Sequence, residues 1–485
     1  MNNILSKPIL NKLFKLYGTF IFIFSLSDYF LNSIPHMTTA NILPGISPHL
    51  GIGLPYSDYW DVYPPGIYMF YYLAYFFTYD NFYLYNVLHV FILFYTCFFS
   101  YKIFLKLKAP IFIYYISLTY FLSPLYVNYL LPNDLLALFF SSWGLYIFLY
   151  SNDEKIKLIL SNFLLVFAFF IKETLFLSSL TILLIGILTK NLKIIQFTLL
   201  GYLISFLFVA TYSETISITQ LVIESYVIKF EVFSFTGTIV NGLFLLIALF
   251  AFLLLLQSKK FIILKNFLNR VLYKEQSSIY IYSLLMLLTY VLVDKDDGGH
   301  FDIPKIFALF FILCFLYKLK INRLLVLVLI ISLSGYVLKL NHSLYSYTQI
   351  QPNFTYSEVS MFKDISQETK TLLKNSNDDF LFLYGWGSTN AYYELKTKPY
   401  SKYWLIHPQI LTEKQIFELK NQLEKNLPEY IYYCGFALEC PAGFDFKLFE
   451  SEYINFPELI TKCYIEIDNK IFKLDSKTCN QDFKF

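Results

Sequence analysis

Long apolar runs separated by short lysine clusters constrain this chain more than any other feature. A membrane-crossing helix needs about 20 apolar residues, somewhat fewer where flanking lysines reach the interface. Such runs lie at 13–31, 82–101, 110–127, 134–150, 156–171, 174–189, 194–212, 238–257, 278–293, 304–318 and 322–340. Six basic segments fall between them: 1–15 (Lys7, Lys12, Lys15), 102–108 (Lys102, Lys106, Lys108), 153–157 (Lys155, Lys157), 190–193 (Lys190, Lys193), 259–274 (Lys259, Lys260, Lys265, Arg270, Lys274) and 318–323 (Lys318, Lys320, Arg323). Cytoplasmic loops carry the excess of Lys and Arg. All six can share that side only if a twelfth apolar run, 65–79, does not cross. That run follows Pro64 and is rich in Tyr, so a helix lying in the outer interface is expected there.

The fold class is therefore an α-helical polytopic protein of the cell (inner) membrane. It has about 11 spans, its amino terminus inside and its carboxyl terminus outside. Residues 1–31 read as the first span, not a signal peptide: the apolar stretch is long and no A-x-A site follows it. Composition agrees. Hydrophobic residues make up 56% and charged residues 15%, against about 25% charged in a soluble domain. That excludes disorder, which needs low hydrophobicity and high charge. A net charge of +3 is too small to imply a nucleic-acid partner.

After about residue 345 charges become frequent and apolar runs shorten. The chain divides into a transmembrane domain, 1–344, and an extracytoplasmic α/β domain, 345–485. Phe380–Tyr384 reads as a buried strand ended by Gly385-Trp386-Gly387. Residues 412–426 read as an amphipathic helix with Thr412 as its cap and Gln415 three residues on. Tyr430–Tyr433 reads as a second strand. Cys434, Cys440, Cys463 and Cys479 all lie in this domain. They form either disulfides, with three pairings open, or free thiols.

The informative residues cluster on the outer face. The loop 32–81 has no Lys or Arg, and Asp58 and Asp61 stand three apart among aromatics just before the interfacial helix. They are either solvated acids at a helix N-terminus or carboxylates that take a proton from a substrate hydroxyl. Asn133-Asp134 opens a span, with Asn133 suited to cap it. Lys172-Glu173 occupies a very short outer turn, where an exposed ion pair is the ordinary reading. The loop 294–305 is densely ionic, and its Asp294, Asp296, Asp297 and Asp302 either are solvated or hold a hard cation. A divalent metal (Mg or Mn) is thus the one cofactor left open. The outer-face cations of the membrane region are Lys172, Lys229, Lys295 and Lys305. A phosphate handled there would have to meet one of these lysines, His300 or a metal. His36, His49 and His89 read as isolated interfacial or core residues. Neither a phosphate-binding P-loop nor a dinucleotide fingerprint occurs in the sequence.

In this order the motifs resemble the GT-C superfamily of membrane glycosyltransferases, which includes protein O-mannosyltransferases and aminoarabinose transferases. The resemblance is carried by Tyr56-Ser57-Asp58 through Pro64-Pro65-Gly66, by Asp134 opening a middle span, and by His300-Phe301 before Pro304. Gly385-Trp386-Gly387 and Lys398-Pro399-Tyr400-Ser401 carry it in the outer domain. It spans nearly the whole chain. One departure is that no acid directly follows the first span, in Leu31–His36; Asp28, Asp58 or Asp61 is left to act as base.

The resemblance implies transfer of a sugar from a polyprenyl-phosphate donor, with inversion, to a glycan, lipid or protein acceptor. Asp58, Asp61 or Asp28 would be the catalytic carboxylate. Lys172, Lys305, Lys295 and His300 would bind the donor phosphate, supported by Asp134 and Glu173. The partners are that lipid-linked sugar, its acceptor and the membrane lipids. Competing expectations are a lipid-linked saccharide flippase or transporter, a polymerase or ligase of preassembled glycans, and a non-catalytic assembly factor.

Overall fold

The structure, a computed structural model, describes residues 16, 19, 42–53, 55, 64–79, 81–107, 132–150, 154–172, 175–212, 279, 281–283, 285–286, 362, 365–376, 380–383, 388–401, 403, 413–433, 454–477 and 479. The apolar runs at 13–31, 110–127, 238–257, 278–293, 304–318 and 322–340 fall wholly or mostly outside those residues. Two compact units make up the chain. One is Met1–Ser33, Asn81–Phe208 and Ser234–Pro352; the other is Ile34–Asp80, Val209–Phe233 and Asn353–Phe485.

In the second unit the helical residues 42–46 run into a 3-10 turn, Ser47–Leu50, closed by Gly51 at φ 73°, a left-handed position that glycine adopts without strain. Helix α1, Pro65–Thr78, follows. Pro64 is extended and Pro65 takes the first helical position, where its fixed φ suits the helix and its missing N–H costs nothing. Fourteen residues rise about 21 Å, too short for a hydrocarbon core of about 30 Å. Ile67, Tyr68, Tyr71 and Ala74 are buried, while Leu73, Phe76 and Phe77 on the opposite side are exposed, Phe77 at 82%. No residue of the helix is charged.

The first unit is helical. Its described helices are α2 (Phe82–Leu107), α3 (Pro132–Leu149), α4 (Lys155–Ile171), α5 (Phe176–Ser179), α6 (Thr181–Leu188) and α7 (Leu192–Tyr212). Val87–Lys106 in α2 and Leu192–Thr211 in α7 are long and apolar enough to cross a membrane; Asn133–Leu149 is a shorter apolar helix. The run 174–189 departs from expectation, because it breaks at Leu180 into α5 and α6. Ser178, Ser179 and Thr181 donate their hydroxyls to the carbonyls of Leu175, Phe176 and Ser178. Leu180 N–H bonds three residues back, to Leu177. Such local bonds compete with the helical ladder and interrupt it.

Helices α3 and α4 form an antiparallel hairpin with a short connection, 150–154. They approach closely at Gly144, where a Cβ would lie 2.7 Å from the Ser161 carbonyl oxygen. Gly201 of α7 meets α4 in the same way, 2.7 Å from the Ile159 carbonyl oxygen. Small residues that let helix backbones approach are the usual packing device of helices in lipid.

The rest of the second unit is built on a four-stranded sheet. In chain order come α8 (Gln367–Lys374), β1 (Phe380–Leu383), α9 (Ser388–Leu395), α10 (Glu413–Lys425), β2 (Tyr430–Tyr433), α11 (Phe456–Cys463), β3 (Tyr464–Asp468) and β4 (Ile471–Leu474). The strand order is β1-β2-β4-β3. β1 pairs parallel with β2, from Phe380↔Tyr430 to Leu383↔Tyr433, and α9 and α10 lie in the crossover. β4 runs antiparallel to both its neighbours. Both expected strands and the expected helix are present within a residue or two; α8, α9, α11 and the β3–β4 hairpin are additions. Phe380, Leu381, Leu419, Leu423, Ile431, Leu459 and Ile460 form the core. Ser366 caps α8 by accepting from Thr369 N–H at 3.2 Å, and Asn455 caps α11 by accepting from Glu458 N–H at 3.0 Å. Tyr464 donates to the Pro428 carbonyl at 2.8 Å, and burial pushes its phenol above the usual range. Cys463 and Cys479 form a disulfide.

Candidate functional site

Of the nine residues the sequence singles out, Asp134 and Lys172 lie among the described residues. Asp28, Asp58, Asp61, Glu173, Lys295, His300 and Lys305 lie outside them. So do the aspartates of 294–302, Cys434, Cys440 and the Gly385-Trp386-Gly387 turn.

The structure brings Asp134 and Lys172 together. Asp134 sits in the first turn of α3, behind Pro132 at the first helical position. Lys172 is the C-cap residue of α4, extended at φ −142° and ψ 116°, with its N–H on the Ala168 carbonyl. A carboxylate at a helix start and an ammonium at a helix end each suit the dipole they face. The antiparallel hairpin puts those two ends side by side. Lys172 Nζ lies 3.1 Å from Asp134 Oδ1, and the side chains are 2% and 3% exposed.

Two sequence expectations are corrected here. The Lys172 ammonium is not an exposed charge in a solvated turn, because the hairpin buries it against Asp134. Asn133 is not the cap of α3: the helix begins at Pro132, so Asn133 is already inside the first turn. Its side chain is fully buried, and neither Oδ1 nor Nδ2 has a hydrogen-bond partner in the protein.

A second polar contact lies two turns along α3. Ser141 Oγ is 2.7 Å from the hydroxyl of Tyr282. Asp134 and Ser141 are seven residues apart, so they share one face of the helix. The first unit thus carries polar groups along one stripe of α3: a charged pair at the helix start and a pair of hydroxyls further along. Nothing in the sequence marks Tyr282, a lone Tyr in an apolar run. The orphan amide of Asn133 did leave a trace, since a proline immediately before it claims the first helical position.

His49 is not isolated. Its ring stacks on Tyr72 at 4.3 Å and on Tyr75 at 4.2 Å, and its Nε2 lies 3.0 Å from the Tyr72 carbonyl oxygen. It fastens the turn at 47–50 to α1. His89 is a buried residue of α2, as expected. Among the described residues no group of three or more His, Cys, Asp or Glu is placed to hold a metal ion.

No family model, curated protein or solved structure matches this chain.

Proposed function

We propose that this chain is a membrane glycosyltransferase that moves a sugar from a polyprenyl-phosphate donor to an acceptor at the outer face of an inner membrane. The observation that carries the reading is the buried Lys172–Asp134 pair at one end of the α3–α4 hairpin. The loop 151–153 at the other end leads into Lys155 and Lys157, the side assigned to the cytoplasm by the lysine rule. An ionisable pair closed to water in an apolar helical unit points to a functional site. Asp134 fixes where the ammonium sits, and a cation fixed before the reaction stabilises charge as it develops on a leaving phosphate.

The reaction needs a carboxylate, for which Asp58, Asp61 and Asp28 are the candidates. It takes the acceptor hydroxyl proton; the oxygen attacks the anomeric carbon; the bond from that carbon to the phosphate oxygen breaks; and configuration inverts. Lys172, with Lys295, Lys305 and His300, meets the departing phosphate. A divalent cation at the 294–302 aspartates would share that charge.

The finer topology belongs to the same proposal: eleven spans, with residues 345–485 outside. The uncharged, aromatic outer face of α1 supports an interfacial seat for that helix. The Cys463–Cys479 disulfide supports an oxidising compartment for the sheet.

A second reading, a lipid-linked saccharide flippase, draws on the same buried pair, since transporters also place charges within their spans. Native mass spectrometry of the purified protein with a panel of polyprenyl-phosphate sugars separates the readings. The transferase retains one lipid-linked sugar and releases bare polyprenyl phosphate when an acceptor is added; Asp58→Asn or Asp61→Asn stops release but not retention. Retention without release under every acceptor tried favours the flippase, and no retention by folded protein removes both.

A further inference from the structure

Asn133 is fully buried in the first turn of α3, and both polar ends of its amide lack a protein partner. The next residue, Asp134, holds Lys172 at 3.1 Å. A buried amide left unpaired is costly, by about 1–3 kcal/mol per group in mutational series. Among the described residues Asn133 is the one buried side chain with two polar atoms left without a hydrogen bond.

The chemistry of the amide limits what completes it. Nδ2 offers two donors and Oδ1 accepts. A phosphate only accepts, so it would satisfy Nδ2 and leave Oδ1 unpaired; an ammonium only donates and would leave Nδ2 unpaired. A hydroxyl both donates and accepts, and two neighbouring hydroxyls on a sugar ring match both ends of one amide.

We infer that Asn133 is a saccharide-binding residue that hydrogen-bonds a pair of ring hydroxyls on the sugar unit handled by this protein. The inference rests on the transferase or flippase reading for where the sugar comes from, but not for the pairing itself. Because the amide is closed to solvent, the packing over the first turn of α3 must part as the sugar enters. A site built to pair with hydroxyls rejects ligands that lack them far more strongly than an apolar pocket rejects an extra group. Asn133 therefore contributes discrimination between a glycosylated lipid and a bare one.

The test uses the full-length protein in nanodiscs, wild type beside Asn133→Leu. Leu has the same branched skeleton of side-chain heavy atoms as Asn, is bulkier through its methyl hydrogens, and has no polar atoms. Two ligand sets are applied: polyprenyl phosphate, bare and carrying hexose, N-acetylhexosamine or pentose, and the same sugars as octyl glycosides. Wild type is expected to bind one glycosylated lipid at least about tenfold more tightly than the bare lipid. In Asn133→Leu that ratio falls to near one while bare-lipid binding is unchanged, and the ligand-free variant melts higher, because its unpaired polar atoms are gone. An unchanged ratio in Asn133→Leu overturns the assignment and leaves the proposed function standing; this is also the result if a resident water meets the amide. If wild type binds no polyprenyl lipid at all, the proposed function fails and the octyl glycosides decide. A melting shift in wild type that Asn133→Leu abolishes upholds the saccharide site, and no shift in either overturns it.

Discussion

In the sheet of the second unit, Ser366 and Asn455 cap helices and the Tyr464 hydroxyl reaches the Pro428 carbonyl. Among the described residues from Phe362 onward, no buried side-chain nitrogen or oxygen lacks a hydrogen bond. In the helical unit, Asn133, Ser142, Thr198, Ser205 and Ser283 are buried with polar atoms that no protein group meets. The outer surfaces differ in the same sense. Leu199, Leu203 and Leu207 of α7 and Phe91, Phe94 and Phe98 of α2 are exposed, whereas α10 exposes Glu424 and Lys425 beside Phe417 and buries Leu419 and Leu423. The sheet is organised for water: among the described residues, each buried side-chain nitrogen or oxygen there has a partner. The helical unit is organised for apolar surroundings, where Thr198, Gly201 and Ser205 are valued for being small. Their spacing lines one face of α7, and Gly201 sets its closest approach to α4. Against that background the Lys172–Asp134 pair is the exception, the one described place in the helical unit where two full charges are buried together.

That exception gives the largest expected effect. Lys172→Met takes away the ammonium that faces the buried Asp134 carboxylate and is expected to cost about 3–5 kcal/mol of stability. Adding Asp134→Leu removes the stranded charge and returns most of that loss, while donor retention stays abolished. Thermal unfolding in detergent beside native mass spectrometry reads both. If the single and double variants melt alike, charge is not what makes this region differ from the sheet.

Next comes the covalent tie in the sheet. The sulfurs close a loop of sequence separation 16, for which chain entropy gives about 3 kcal/mol. Cys463→Ser is expected to make the sheet susceptible to protease while the helical unit stays resistant. Equal sensitivity of both units would mean that they unfold together and that the contrast between them is only one of composition.

The smallest effect sharpens the description of the sheet. Asp468 accepts from the Ser366 backbone N–H at 2.9 Å, and bonds from the Ser366 side chain and backbone hold its carboxyl well below the usual carboxylate range. A carboxyl lowered in the folded state stabilises fully above its unfolded pKa of about 3.9 and loses that contribution as pH falls through the folded value. Asp468→Asn is therefore expected to speed exchange of the Ser366 amide at pH 7, with the gap from wild type closing as pH drops below about 4. A gap that persists unchanged in acid would assign the effect to packing.

Much of the fold was legible from apolar periodicity alone. α2, α3, α4, α7, β1, β2 and α10 fall where runs of apolar residues or their helical spacing put them. The β3–β4 hairpin was not read, because Ile465 and Ile467 face outward and its turn uses Asn469-Lys470, with Lys470 at φ 63°, rather than a glycine. The break at Leu180 was hidden for a different reason: serine and threonine look neutral in a hydropathy profile yet bond back to the helix. At the site, lysine placement put Asp134 and Lys172 on one side of the membrane. Only the hairpin says that they touch, since 38 positions separate them in sequence.

The order β1-β2-β4-β3 has a consequence for how the polypeptide is made. β2, all four of whose residues are buried, has one partner that precedes it and one that follows about 40 residues later. Until Ile471–Leu474 emerges, Tyr430–Tyr433 is the open flank of a two-stranded ribbon with unpaired amides and carbonyls. Such a flank is a template for pairing with another nascent chain. Ribosomes that stall between residues 434 and 470 would therefore release products prone to join edge to edge, and cells making this protein fast would need something to shield that flank until the β3–β4 hairpin arrives.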